Sequence, residues 1–301
     1  MEQAQNDEIR KSVRENYGKV AQAKAPACGG VPTSCCGTES NSTPADVALG
    51  LGYSEEEVSS VPEEANMGLG CGNPQAIASL QGGETVLDLG SGGGLDCFLA
   101  ARAVGVQGRV IGVDMTSEMI TKARKNAEKA GLGNIEFRLG EIEHLPVANE
   151  IVDVILSNCV INLSPEKDQV FREAFRVLKP GGRFFLHIIT VRTPNNISSA
   201  FTHKYIFPHG RYWSFDSIPA HNKDLRTVER WYLNGMNYST TLTQWLRNFD
   251  DSRPYVKDLA YGMDFAKFRR MWRLYLIFFV ANFASCDGGI NGNGQFLMVH
   301  A

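Results

Sequence analysis

Four short stretches of this 301-residue chain carry side chains that can do chemistry together. The first, DLGSGGG, sets Asp88 two residues ahead of Gly90, with Gly92, Gly93 and Gly94 close behind. Glycine has no Cβ and tolerates φ > 0, so such a turn lets backbone pass close to a ligand. A dinucleotide turn spaces its glycines G-x-G-x-x-G to seat a pyrophosphate on a helix N-terminus. Here Asp88 would be a poor neighbour for a pyrophosphate and a good one for a cation. The second stretch ends in Asp114, 24 residues after Gly90, where a carboxylate can accept hydrogen bonds from both hydroxyls of a ribose. The third is GEIEHLPV, whose Glu141 and Ile142 are placed to meet the edge and face of an adenine. The fourth, SNCVIN, brings Asn158 and Cys159. On the glycine turn alone, a nucleotide, a dinucleotide and no ligand all remain open.

Thiols form a second group. The seven cysteines, Cys28, Cys35, Cys36, Cys71, Cys97, Cys159 and Cys286, are an odd count. They read as thiols of a reducing compartment rather than as a disulfide framework. Cys28, Cys35 and Cys36 fall in residues 25–45, a stretch rich in Gly, Ser, Thr and Pro that reads as a mobile loop. It is either an exposed linker or a flap that captures soft metal ions or does redox chemistry, since thiolates favour soft ions. Cys71 sits in GLGCGNP, a tight loop expected beside the glycine turn. Cys97, on the apolar face of a helix, reads as a small buried residue.

The elements that position these groups follow from hydrophobic periodicity. Residues 6–24 repeat Ile9, Val13, Tyr17 and Val20 at helical spacing. Short helices are expected at 44–51 and 54–61, the second opened by a Ser54/Glu57 capping box. Strands at 86–89, 110–113, 135–139, 152–157 and 183–189 then alternate with helices at 95–103, 117–130 and 167–178. Thr116 or Ser117 caps the second of these helices and Gly131 ends it. This alternation predicts an α/β fold, a doubly wound and mostly parallel seven-stranded sheet with helices on both faces. Ligands of such sheets bind beyond the carboxyl ends of the strands, where all four chemical stretches fall. Residues 231–237 and 295–300 are expected to close the sheet as an antiparallel edge pair. The aromatics Tyr205, Phe207, Tyr212, Trp213 and Phe215 are expected to form a lid over an acceptor pocket. Three parts of one fold result: helices and Cys loop (1–80), a cofactor-binding core (81–190), and lid with closing strands (191–301).

The formal net charge of -3 argues against nucleic acid or an anionic membrane as the main partner. The charged N-terminus lacks the apolar core of a signal peptide. The most apolar run, 274–283, falls short of the roughly 20 residues that span a bilayer. A cytoplasmic enzyme without an integral membrane segment is the expectation.

Taken together, the motifs of residues 84–190 resemble those of class I S-adenosylmethionine-dependent methyltransferases. The resemblance implies S-adenosylmethionine as cofactor, with the methionine part over Gly90 and Gly92, the ribose on Asp114, and the adenine on Glu141 and Ile142. Asp88, Met115 and Asn158 complete the implied cofactor set. Within that class residues 1–190 look most like arsenite methyltransferases, through the Cys35-Cys36 pair, GLGCGNP with Cys71, and SNCVINLSPEK with Cys159. What this implies is arsenite held by Cys71 and Cys159, assisted by Cys35 or Cys36. Family members carry a further cysteine some 50 residues beyond Cys159, and this chain has none in that region.

Residues 185–301 instead resemble cyclopropane-fatty-acid synthases and related lipid and amine methyltransferases, through LHIIT, KYIFPHG, FRRMWRLYLIFFVANF and GQFLMVH. Carried over, His187 and Tyr275 match residues that the synthases use near a bound bicarbonate. The family's acidic residue after the fourth strand is missing, since Cys159–Asn162 holds no carboxylate. Helical spacing of Phe265, Phe268, Met271, Trp272, Tyr275, Leu276 and Phe279 equally describes a helix packed on the core. Methyl or methylene transfer to a lipid or amine is therefore the alternative function. Arsenic or soft-metal binding without turnover is a third.

Overall fold

The computed structural model describes residues 2–22, 44–50, 52–67, 72–73, 78–193, 212–253, 257 and 263–300. Cys28, Cys35, Cys36, Cys71, Tyr205 and Phe207 lie outside the described residues, and so do the expectations placed on them.

Five strands, β1 (Thr85–Leu89), β2 (Arg109–Asp114), β3 (Ile135–Leu139), β4 (Val152–Asn158) and β5 (Leu178–Val191), form the parallel part of the sheet. β6 (Trp213–Ser214) adds a short parallel pairing to β5, while β7 (Leu225–Leu233) and β8 (Asn291–His300) run antiparallel. The main path is β3-β2-β1-β4-β5-β8-β7. Order reverses between β1 and β4, so the crevice of the sheet opens beyond Leu89 and Asn158.

Runs such as Val86-Leu87 and Val154-Ile155-Leu156 are buried throughout, as strands covered on both faces require. One face packs Leu87, Ile111, Ile155 and Phe184 against α6 (Lys167–Val177). The other packs Val86, Val110 and Leu156 against α4 (Leu95–Val104) and α5 (Ser117–Ala130), with Phe98 at its centre. Each fully buried Leu or Phe stabilises the fold by about 1.5–3 kcal/mol relative to exposure. Past the short α7 (Ile218–His221), a third cluster, Leu242, Leu276, Phe279 and Phe283, joins α8 (Gly235–Asp251) to α9 (Phe265–Ala284) over Ile189. No described helix is long and apolar enough to cross a membrane.

The N-terminal segment forms α1 (Glu2–Gln22), α2 (Pro44–Gly50) and α3 (Glu55–Ser60). The capping box of α3 is present: Ser54 Oγ accepts from Glu57 N at 3.1 Å, and Glu57 Oε2 accepts from Ser54 N at 2.7 Å. Gly131 closes α5 in the left-handed region at φ 64°. Thr116 holds the N-cap position of α5 but makes no side-chain cap bond; Asp114 Oδ1 accepts the Thr116 N–H instead.

Three expectations need correction. The last strand pair is antiparallel and β7 is the edge, but β7 runs from 225 to 233 rather than 231 to 237. Asn234 ends it by accepting from Met236 N at 2.8 Å, which starts α8. The stretch 179–182 bulges from the β4–β5 ladder rather than preceding the strand: Val152 faces Leu178 and Val154 faces Arg183, with Gly181 at φ 78°. Trp213 and Phe215 are not lid residues. Both are buried, Trp213 against Phe171 and Phe215 against Phe296, because β6 adds to the sheet and directs them into its core.

Candidate active site

The glycine turn follows directly from β1. Gly90 and Ser91 donate to the carbonyl of Val113 at 2.8 and 3.0 Å, so the turn leans on β2. Gly90 is at φ 71°, and a Cβ there would lie 2.6 Å from Val160 Cγ2. No other residue type meets both demands. Beyond the turn, α4 begins at Leu95 with Asp96 in its first turn.

A cavity opens at this end of the sheet. Asp88, Gly90, Gly92, Asp114, Met115, Ile142, Asn158 and Cys159 all line it, so the structure gathers most of the sequence-derived set. Among the expected cofactor residues Glu141 is the exception. Its carboxylate is drawn outward to Arg14, 2.9 Å away, and to Arg10, 3.5 Å away, and Glu143 lines the cavity in its place.

Asp114 has the geometry of a diol acceptor. Its Oδ2 accepts from Gly92 N at 3.0 Å and its Oδ1 from Thr116 N at 2.8 Å. A carboxylate offers about four lone-pair sites, so two backbone bonds fix its plane and leave capacity for two hydroxyls. Burial nevertheless pushes its pKa up. Asp88 is raised further, first by complete burial and then by the neighbouring charge of Asp96, although the Cys97 thiol donates to it at 3.3 Å. Two buried carboxylates near a third create a negative field that a cation in the cavity offsets.

S-adenosylmethionine fits these walls. It carries a sulfonium and an ammonium that Asp88 and Asp96 would face, a ribose diol that Asp114 would accept, and an adenine that Ile142 would cover. Ser91 Oγ, buried in the cavity wall with no partner among the described residues, is a polar atom that such a ligand would satisfy. Asp114→Ala is expected to weaken cofactor binding by about 1–3 kcal/mol, because two buried hydroxyls lose their acceptor. Calorimetry giving wild-type affinity would exclude Asp114 as the ribose ligand.

The raised Asp88 pKa also predicts a pH dependence. An ionised carboxylate attracts the cofactor cation and a protonated one does not. Affinity should therefore fall as pH drops through the elevated Asp88 titration, above the ordinary carboxylate range. In the ligand-free protein the sign is opposite. A folded pKa above the unfolded value contributes stability at low pH that is lost as pH rises through the folded pKa. Asp88→Asn should flatten the affinity profile, and an unchanged slope would assign it to another group.

Several residues that shape the site were not singled out from sequence. Asp96 accepts from Tyr53 Oη at 2.8 Å and lies 3.4 Å from Asn158 Nδ2. Its place in the first helical turn, two residues after Gly94, is a usable signal. α1 lays Arg10, Val13 and Tyr17 along the cavity, so its narrow apolar stripe marked a face that covers the site. Arg10, almost buried, meets Glu141, Glu143 and Glu166 and holds the helix there.

The acceptor side is centred on Cys159. Its φ of 61° is left-handed, uncommon outside glycine, and its N–H donates to His187 O at 2.8 Å. Asn158 Nδ2 donates to Gly72 O at 2.8 Å, which ties the residue after Cys71 to the residue before Cys159. His187 is buried under Gly72, with ring nitrogens 3.1 and 3.3 Å from the amides of Gln295 and Asn293. Tyr275 stands in the α8–α9 cluster between Trp272 and Phe279, and neither it nor His187 lines the cavity. Cys97 is fully buried, and Cys286 is exposed in the turn after α9.

A family described as a methyltransferase domain matches residues 80–247. The arsenite methyltransferase of Halobacterium salinarum is 52% identical over 194 residues, which cover 62% of this chain and 49% of that protein. CrArsM, an arsenic(III) S-adenosylmethionine methyltransferase from Chlamydomonas reinhardtii, has a solved structure that is 27% identical. It aligns with a TM-score of 0.52 over 86% of this chain and 74% of its own. The cyclopropane synthase MmaA2 of Mycobacterium tuberculosis shares the fold, with a TM-score of 0.64 and 18% identity over 87% of this chain and 99% of its own. The chain spans about half the length of the arsenite methyltransferases of Halobacterium salinarum and Aquipseudomonas alcaligenes, 49% of each. With the strand order, the glycine turn and Asp114 all in place, the chain belongs to the methyltransferase-domain family and has the fold of the class I S-adenosylmethionine-dependent methyltransferases.

Proposed function

We propose that this enzyme methylates trivalent arsenic, with arsenite held by the thiolates of Cys71 and Cys159 and assisted by Cys35 or Cys36. One observation carries the reading: Cys159 lines the cofactor cavity, and its neighbour Asn158 is bonded to Gly72, the residue after Cys71. The residue after Cys71 is thereby bonded to Asn158, which lines the cofactor cavity next to Cys159. The names of the Halobacterium and Chlamydomonas relatives support the same acceptor. Thiols in quantity also suit the reducing cytoplasm, where we place the enzyme.

Bound S-adenosylmethionine supplies an electrophilic methyl group on sulfur. The chain's task is orientation. Trivalent arsenic is soft and thiophilic, so thiolates bind it and leave its lone pair to face the methyl carbon. That lone pair needs no deprotonation, so no general base is required, and alignment alone carries much of the rate. Asp88 and Asp96 balance the donor's positive charge before transfer.

Transfer to a lipid or amine would need His187 and Tyr275 at the acceptor. Neither lines the cavity, and His187 is enclosed by Gln295, Asn293 and Gly72. The acceptor is tested by offering arsenite, unsaturated phospholipid and small amines separately with methyl-labelled S-adenosylmethionine. Label is expected in methylated arsenic; label in phospholipid would support the alternative instead.

A further inference from the structure

A hydroxyl that the methyl transfer does not itself use lies between the two halves of the site. Tyr53 is buried at 4% exposure, and its Oη is 2.8 Å from Asp96 Oδ1 and 3.1 Å from the carbonyl of Gly72. A tyrosine hydroxyl has one proton, so it cannot donate fully to both acceptors. The carboxylate is the stronger acceptor, since charge-assisted hydrogen bonds are roughly twice as strong as neutral ones. Gly72 O, for its part, already accepts from Asn158 Nδ2 at 2.8 Å and has a second lone pair for Tyr53.

The two acceptors belong to different functions. Asp96 lines the cofactor cavity next to Asp88. Gly72 follows Cys71 in the chain, and its peptide lies directly against the His187 ring.

We propose that Tyr53 is a positioning residue that couples the cofactor cavity to the acceptor thiols by moving its one hydroxyl proton between Asp96 and the Gly72 carbonyl. With the cavity empty, Asp96 takes the larger share of the proton, at 2.8 Å against 3.1 Å for Gly72 O, and Tyr53 adds little to the hold of Asn158 on Gly72. A cation in the cavity offsets the charge of Asp96 and weakens its hold on that proton. The hydroxyl then donates to Gly72 O, and the Gly72 peptide is held from two sides, by Tyr53 and by Asn158. Acceptor binding is thereby strengthened once the donor is present. The same proton cannot serve both ends, so the coupling is reciprocal. The inference rests on the reading that Cys71 and Cys159 bind arsenite.

The test measures arsenite binding by equilibrium dialysis, with and without saturating sinefungin, an unreactive cationic analogue of the cofactor. Wild-type protein should bind arsenite about fivefold or more tightly with sinefungin present, the lower end of typical coupling. Tyr53→Phe removes only the hydroxyl, and it should bind arsenite with less than a twofold response to sinefungin. Asp96→Asn weakens the competing acceptor, so its affinity without sinefungin should shift toward the saturated wild-type value. Loss of a purely structural residue would weaken binding in both conditions and leave the ratio unchanged. A wild-type ratio of one, or an unaltered ratio in Tyr53→Phe, overturns the coupling while leaving arsenite binding intact. Absence of arsenite binding in wild type overturns the acceptor assignment itself.

Discussion

Cys159→Ser is expected to lower arsenite methylation by at least about a hundredfold while S-adenosylhomocysteine binds with nearly wild-type affinity. The oxygen of serine is a hard, weakly acidic donor, whereas trivalent arsenic prefers a soft thiolate. With one thiolate gone, the substrate is held loosely and its lone pair loses alignment; a misplacement of 1 Å costs about 10²-fold. The backbone should tolerate the change. Cys159 holds its left-handed φ of 61° through its N–H bond to His187 O, and serine keeps that N–H. Turnover against an arsenite series, with calorimetry for the product cofactor, separates the two effects. Methylation within threefold of wild type would remove Cys159 from the substrate's ligands.

The second large effect is expected from Gly72→Ala. A Cβ on Gly72 would lie 2.6 Å from His187 Cε1 and 2.9 Å from Nε2, closer than carbon atoms approach. The ring has little room to retreat, because His187 is 1% exposed and both nitrogens face amides from β8. The Gly72 peptide must therefore shift, and with it the carbonyl that Asn158 and Tyr53 hold. Overpacking of this kind destabilises by about 1–3 kcal/mol. Arsenite turnover should fall by a further factor, about 10-fold to 100-fold, through displacement of the neighbouring thiol. Thermal unfolding and kcat together check this. Loss of stability with wild-type kcat would show that Gly72 serves only the fold.

The cofactor half was legible because its signals are local. A buried strand, a glycine turn and a carboxylate at the next strand end sit at fixed spacings, and the boundaries of β1 to β4 and of α4 to α6 followed from hydrophobic periodicity to within a residue. The Gly131 cap and the Ser54/Glu57 box could be read for the same reason. Glu141 misled because its direction is set by partners on α1, Arg10 and Arg14, which no local pattern reveals. Trp213 and Phe215 misled in a related way. Aromatics after a strand suit a lid or a core equally, and only the β6 pairing with β5 settles which. The acceptor side was less legible still. The Tyr53–Asp96–Asn158–Gly72 contacts join four segments, up to 105 residues apart in the chain, and none of them carries a spacing rule. His187 stands out through resemblance to lipid-modifying enzymes; it lies buried beneath Gly72 and outside the residues that line the cavity.

The central claim is that arsenic bound at Cys159 faces the methyl donor. It is tested most directly by a single turnover, in which protein preloaded with one equivalent of arsenite is mixed with methyl-labelled S-adenosylmethionine. Labelled methylarsenic and S-adenosylhomocysteine are predicted to appear together in equal amounts on the preformed complex, and neither should appear with Cys159→Ser. Cofactor that stays intact on arsenite-loaded wild-type protein, or label that appears on anything other than arsenic, would contradict it.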